Sequence, residues 1–184
     1  PVDKSYPYYY YSHNYEMYRG RRLNERLESL DLISFEDIKK IQNDNFSYKA
    51  FEALPVILPM VDTLRLNKNE KKYYTSLSNW DYFSNPNLSD PSLFVSWWKN
   101  INHNLWDEFD TMNYSYRKPN SFVTTKIIRD NNDFEFFDNI STPLKESIED
   151  IINESFSEAV KSLNSWKEKN IKKNVLWKDF KNTS

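Results

Sequence analysis

One glycine, Gly20, serves a chain of 184 residues, against a usual share of about 7%. Glycine enters left-handed backbone without steric cost and lets a backbone lie close against a phosphate. A chain nearly without it is poorly suited to Gly-rich phosphate loops, to a dinucleotide-binding fingerprint, or to many tight primed hairpins. Helices end acceptably on asparagine instead, and Asn is abundant here. The expected fold is therefore all-α, an irregular bundle of about six to eight helices.

Hydrophobic spacing divides the stretch from Arg19 to Pro59 into three helices. Leu23 and Leu27 lie four apart and Leu30 three further on, with Arg21, Arg22, Glu25 and Glu28 on the other faces. Ser34 followed three residues later by Asp37 is a variant of the capping box. The helix it opens has Ile38 and Ile41 as its inward stripe and ends at Asn43-Asp44-Asn45. Ser47 is placed to cap the next, in which Ala50, Phe51 and Leu54 repeat until Pro55 and Pro59. Each proline lacks an N–H and disfavours helix in the residue before it, so this helix kinks or stops there.

The rest reads in the same way. Residues 1–14, with Tyr6-Pro7 and the four tyrosines Tyr8 to Tyr11, form an extended entry segment, and residues 15–184 form a single helical domain. Asn67–Lys72 reads as a polar loop before a helix carrying Tyr73, Leu77 and Trp80. Asp90 as cap and Pro91 at the first helical position start a helix with Phe94, Trp97, Trp98, Ile101, Leu105 and Phe109. After the loop Asn113–Asn120, a shorter helix over Ser121–Arg129 points Phe122 and Ile127 or Ile128 inward. Beyond an acidic and aromatic loop, Asp130–Asp138, Thr142-Pro143 starts a long helix. Its inner side carries Leu144, Ile148, Ile151, Ile152, Phe156, Ala159, Val160 and Leu163. Trp177 and Phe180 return aromatics near the end.

A net charge of −2 provides no basic field for nucleic acid. No apolar run is long enough to span a bilayer. The absence of cysteine excludes disulfides and thiolate metal sites. With neither an initiator Met nor a signal peptide before Pro1, and a helix-compatible phrase at Ser184, the expectation is a fragment of a longer protein.

Taken in order, the blocks resemble a known family. R-G-R-R-L-N-E-R-L from Arg19, S-F-E-D-I-K-K-I-Q-N-D from Ser34 and F-S-Y-K-A-F-E-A-L-P from Phe46 come first. Leu77-Ser78-Asn79-Trp80-Asp81 and the phrase from Asp90 to Trp97 follow, with Trp177-Lys178-Asp179 near the end. They are similar to the helical region of the β chain of penicillin acylases, which are N-terminal-nucleophile amidohydrolases. The resemblance implies an insert in a four-layered αββα hydrolase that cleaves the amide between an acyl group and an amine. That chemistry needs an N-terminal Ser, Thr or Cys whose α-amino group acts as base, together with oxyanion donors. Pro1 bears no nucleophile, and the family's oxyanion asparagine falls before the Tyr-Pro phrase, so both are expected outside this chain, which alone is inactive.

The resemblance also implies that Arg19 stands close to the catalytic centre in a supporting role, orienting the nucleophile region. The implied partners are the α chain, the β-chain core and an acylated small-molecule substrate, with no nucleic acid and no membrane. The implied place is periplasmic or secreted. Some members hold a structural calcium through a carboxylate shortly after the Tyr-Pro phrase. Here that stretch is Tyr8 to Tyr11, so no cofactor is expected through these residues.

Other residues invite competing readings. Arg19 also reads as a solvated or salt-bridged helix residue beside Arg21 and Arg22. His13 and His103 are the two histidines, and His103 precedes Asp107 by four residues, either as a metal-ligand pair or as an ordinary side-chain pair. Asp107, Glu108 and Asp110 are candidate acid-base carboxylates or a solvated helix end. Asp130-Asn131-Asn132-Asp133 lacks the glycine and distal glutamate of a calcium loop. The aromatic share of 17% supports a rival function, a non-catalytic binding module for glycan or protein with Tyr8–Tyr11 and Trp97-Trp98 as its platform. Core packing is the plainer account of the same residues.

Overall fold

The computed structural model describes residues 17–111, 117–130, 134–138, 140, 142–143, 145–171 and 173–181. The entry segment 1–14, His13 and Leu144 lie outside them. In chain order the helices are α1 (Tyr18–Glu28), α2 (Phe35–Gln42), α3 (Tyr48–Ile57), α4 (Lys68–Ser78), α5 (Asp90–Leu105), α6 (Glu108–Thr111), α7 (Ser121–Asp130), α8 (Ile148–Lys169) and α9 (Trp177–Lys181). Among the described residues there is no strand, and the one bridge joins Phe46 to Phe83. The all-α expectation holds. The count exceeds six to eight because short turns such as α6 and α9 stand as helices of their own.

The core is built around α5 and α8. Apolar residues on α8 recur every three or four positions from Ile148 to Leu163, making one continuous buried stripe. Helix α5 is different: Leu93, Phe94, Trp97, Trp98, Ile101 and Leu105 are all buried, so it is covered on several sides, by α4, α8 and α9 among others. Each such side chain, fully buried, contributes about 1.5–3 kcal/mol. Trp97 is 0% exposed and Trp98 6%, which removes this pair as a binding platform. Adjacent residues on a helix both point inward only where most of the helix is covered, and α5 is covered on all but the stripe of Val95, Lys99 and His103.

A buried tryptophan needs a partner for its indole N–H, and three neighbours supply one. Trp97 Nε1 donates to the Ile152 carbonyl of α8 at 3.1 Å, and its ring meets Phe156 at 4.9 Å, edge to face. Trp98 Nε1 donates to Ser121 Oγ at 3.1 Å and Trp106 Nε1 to Thr124 Oγ1 at 3.2 Å. These acceptors explain α7. Its buried face is Ser121, Thr124, Thr125 and Ile128, while Phe122 is 42% exposed, contrary to expectation. Small hydroxyl side chains leave room for two indoles and satisfy them as well; a phenylalanine would do neither.

Capping boxes open three of the helices. The expected one holds: Ser34 Oγ accepts from Asp37 N–H at 3.2 Å, and Ser34 N–H donates to the Asp37 carboxylate at 3.1 Å. The same reciprocal pair recurs at Asn67 with Glu70 and at Ser147 with Asp150. The box at Asn67 moves the start of α4 into the supposed loop, to Lys68. The box at Ser147 makes Ile148, not Thr142-Pro143, the beginning of the long helix. Ser47 caps α3 as expected, accepting from Ala50 N–H at 3.3 Å. Asp90 does not cap α5. It is the first helical residue, and its buried carboxylate accepts from Ser76 Oγ of α4 at 2.5 Å.

Helix α3 runs two residues past Pro55 and then tightens into a 3-10 turn, Leu58–Met60, around Pro59. Asn153 of α8 clamps the exit: its Nδ2 donates to the Met60 carbonyl at 2.9 Å, and its Oδ1 accepts from Asp62 N–H at 2.8 Å. We expect Thr124→Val, which keeps the shape but removes the acceptor for Trp106, to cost about 1–3 kcal/mol in urea unfolding. Ser157→Ala, at a half-buried position of α8 away from the indoles, should change stability much less.

Candidate functional site at the first two helices

Of the expected inward stripes of α1 and α2, Ile41 is buried and the rest is not. Leu23 is 42% and Ile38 44% exposed, and of the two helices only Tyr18 and Ile41 are buried. Leu23, Leu27, Ile38 and Ile41 instead floor an open cleft of about 440 Å³, with Arg19 and Arg26 at its side. A second hollow of about 240 Å³, between Tyr18, Phe46 and Lys49, shares Arg19, Arg22 and Asp44 with the first. Exposed Arg19 therefore borders both concavities.

The arginines of α1 are held differently. Arg21 pairs with Glu52 of α3 at 2.5 Å and lies 4.7 Å from the centre of the Tyr48 ring. Arg22 Nε donates to Asp44 Oδ2 at 2.9 Å, its guanidinium lies 4.2 Å over the Phe46 ring, and Glu25 takes Nη1 at 3.3 Å. Arg26 reaches the same Asp44 oxygen at 3.9 Å. Arg19 makes one hydrogen bond among the described residues, from Nη2 to the Gln42 carbonyl at 3.4 Å. It is the arginine of α1 with no carboxylate partner among them.

The segment that receives Arg22 is itself pinned. Asp44 Oδ1 accepts from Phe46 N–H at 2.9 Å. Ser84 N–H donates to the Asn45 carbonyl at 3.0 Å and Ser47 N–H to the Tyr82 carbonyl at 2.8 Å. Across this clip sits the Trp80-Asp81 phrase. Trp80 Nε1 donates to the Phe83 carbonyl at 2.9 Å, and the Asp81 carboxylate accepts from Phe83 N–H at 3.0 Å. Between them Tyr82 adopts φ of 66°, a left-handed conformation that costs an L-residue about 1–2 kcal/mol. The chain's glycine is not used there. Gly20 lies in α1 with open space around it. Packing supplies the compensation, since the Tyr82 ring meets Phe46 at 6.0 Å and Phe51 at 5.5 Å.

The other candidate chemistry disperses. His103 is not paired with Asp107, because α5 ends at Leu105 and breaks the four-residue spacing. Its Nδ1 lies 3.6 Å from Asp110, which also takes Lys118 Nζ at 2.8 Å, all on the surface. The hydrogen bond from Lys118 holds the Asp110 carboxyl below its usual range, helped by His103. Among the described residues no group of histidines and carboxylates is arranged to hold a metal ion. Tyr8–Tyr11 and 131–133 lie outside the described residues.

Glu108 behaves differently from Asp110. Burial raises its carboxyl above the ordinary value, and the neighbouring charges of Asp107 and Asp138 push the same way. Below the ordinary glutamate pKa both folded and unfolded chains hold the proton, and folding is not penalised. As pH rises through the window up to the raised value, the unfolded chain ionises first and stability falls. Glu108→Gln should therefore gain stability relative to the native chain between about pH 4 and pH 7, read from urea midpoints at both ends.

The sequence pattern of the family described as Penicillin amidase matches residues 1–184, the whole chain, and the chain belongs to that family. No individual curated protein matches it. Several of the blocks that carry the resemblance meet in the structure: Arg22 and Asp44 bond to each other, and Trp80 and Asp81 bond to Phe83 beside them. Sequence reasoning did not single out Asp44, which the structure brings against Arg22. Nothing local in the sequence marks it, since Arg22 and Arg26 meet Asp44 only when α1 packs against the end of α2.

Proposed function

We propose that this chain is the helical layer of an amidohydrolase that cleaves a linear amide between an acyl group and an amine. In this reading it braces the catalytic core and completes one wall of the acyl-binding cleft, with the nucleophile and oxyanion donors on other parts of the enzyme. Family membership over all 184 residues supports the reaction class. The partners in this reading are the α chain, the β-chain core and the acylated substrate. The same reading places the enzyme in the periplasm or outside the cell. Among the described residues no helix is long and apolar enough to cross a membrane.

The observation that carries the site is the state of Arg19. It is exposed and lines a cleft together with Leu23, Leu27, Ile38 and Ile41, and no carboxylate among the described residues neutralises it. A cation so placed is free to bond to a group brought by the rest of the enzyme. Amide cleavage by a nucleophilic hydroxyl builds negative charge on the carbonyl oxygen and depends on ångström-level alignment. Arg19 serves that reaction as a positioning residue, holding the backbone around the nucleophile. Its role is alignment, not proton transfer.

In the complete acylase we expect Arg19→Ala to lower kcat by about 10²-fold while the melting temperature stays close to that of the native enzyme. Arg19→Lys should recover part of the loss, since it keeps the charge without the planar fork. Unchanged turnover in Arg19→Ala would reject the reading.

A further inference from the structure

We propose that Asp44 is a second positioning residue for the amide-cleaving reaction, acting through Arg19; the inference rests on the reading of Arg19 given above. Its side chain is 9% exposed, and both of its oxygens are used. Oδ2 takes Arg22 Nε at 2.9 Å and faces Arg26 Nε at 3.9 Å, while Oδ1 takes the Phe46 N–H at 2.9 Å. One carboxylate thus joins α1, the end of α2 and the start of the clip that leads to α3. The hydrogen bond that Arg19 makes, to the Gln42 carbonyl, ends on the same connection, two residues before Asp44.

This arrangement couples the two residues mechanically. Arg19 and Arg22 lie three apart on α1 and so on one face. The Arg22–Asp44 bond sets the roll of that face against the end of α2. The clip cannot follow a displaced α1, because Ser84 and Tyr82 hold it from the other side at 3.0 and 2.8 Å. Asp44 also borders both hollows beside Arg19. Loss of its charge leaves Arg22 with Glu25 and the Phe46 ring and removes the charged tie between α1 and the end of α2, so that face of α1 can shift while Arg21–Glu52 still joins α1 to α3.

A charged hydrogen-bonded pair at the edge of a fold also has a purely structural use, and the test separates the two. Asp44→Asn keeps the shape and the acceptor for Phe46 N–H but removes the charge. In the complete acylase it should lower kcat about tenfold with KM nearly unchanged. In an Arg19→Ala background the same change should cost nothing further, because the residue it aligns is gone. Arg22→Lys, which keeps the cation and loses the fork, should repeat the pattern and stands in if Asp44→Asn does not fold. Equal losses from these changes in both backgrounds would overturn the inference and leave the role of Arg19 standing. Native turnover in Arg19→Ala alone would overturn both.

Discussion

The seating of Trp97 between α5 and α8 is the interaction on which the remainder of the structure depends. Its ring supplies a large apolar surface against Phe156, and its N–H ends on a carbonyl of the facing helix. That pairing fixes the axial register of the two longest helices, since a slip of one residue would bury an unpaired donor. Asn104 repeats the device one side over, donating to the buried Ser155 hydroxyl at 3.1 Å. With α5 and α8 locked, α4 and α9 close over α5, α7 receives Trp98 and Trp106, and Asn153 ties down the turn after α3.

The edge formed by α1 and α2 follows another logic. Little apolar surface is buried there, and attachment comes from ion pairs, arginine stacking and one clip of backbone bonds. Exposed ion pairs contribute little, about 0–1 kcal/mol each. The attachment therefore rests on the largely buried Arg22–Asp44 pair with the ring of Phe46 beneath it, on the partly buried Arg21–Glu52 pair, and on buried Tyr18 against Tyr48. Exposed Leu23 and Ile38 of these helices line the cleft together with Leu27 and buried Ile41. The interior of this penicillin amidase family chain gives rigidity, and the edge presents side chains outward.

Strain and polarity concentrate at that edge. Tyr82 holds a left-handed backbone that the chain's glycine, placed in an ordinary helix, does nothing to relieve. The Trp80-Asp81 phrase on one side and the Phe46 ring on the other keep it in place. Asp44 lies across the same junction. Residues that belong to separate blocks in the chain, from Arg22 to Ser84, thus become one mechanical unit.

The helical class, the caps at Ser34 and Ser47, the stripe of α8 and the family resemblance were all legible in the chain, because each depends on neighbours within a turn or two. The boxes at Asn67 and Ser147 carried the same signature and were legible too, though the periodic apolar residues after Asn67 and Thr142-Pro143 drew the boundaries elsewhere. Orientation was not legible. Leu23 and Ile38 have core-like spacing yet line a cleft, Phe122 faces outward, and Trp97 and Trp98 both face inward. Spacing identifies which residues share a face of a helix, but what that face meets depends on partners far away in the chain. Asp44 acquires its place from Arg22, and Thr124 from Trp106, only when the helices pack, since a hydrogen bond across such distances exists nowhere in local geometry.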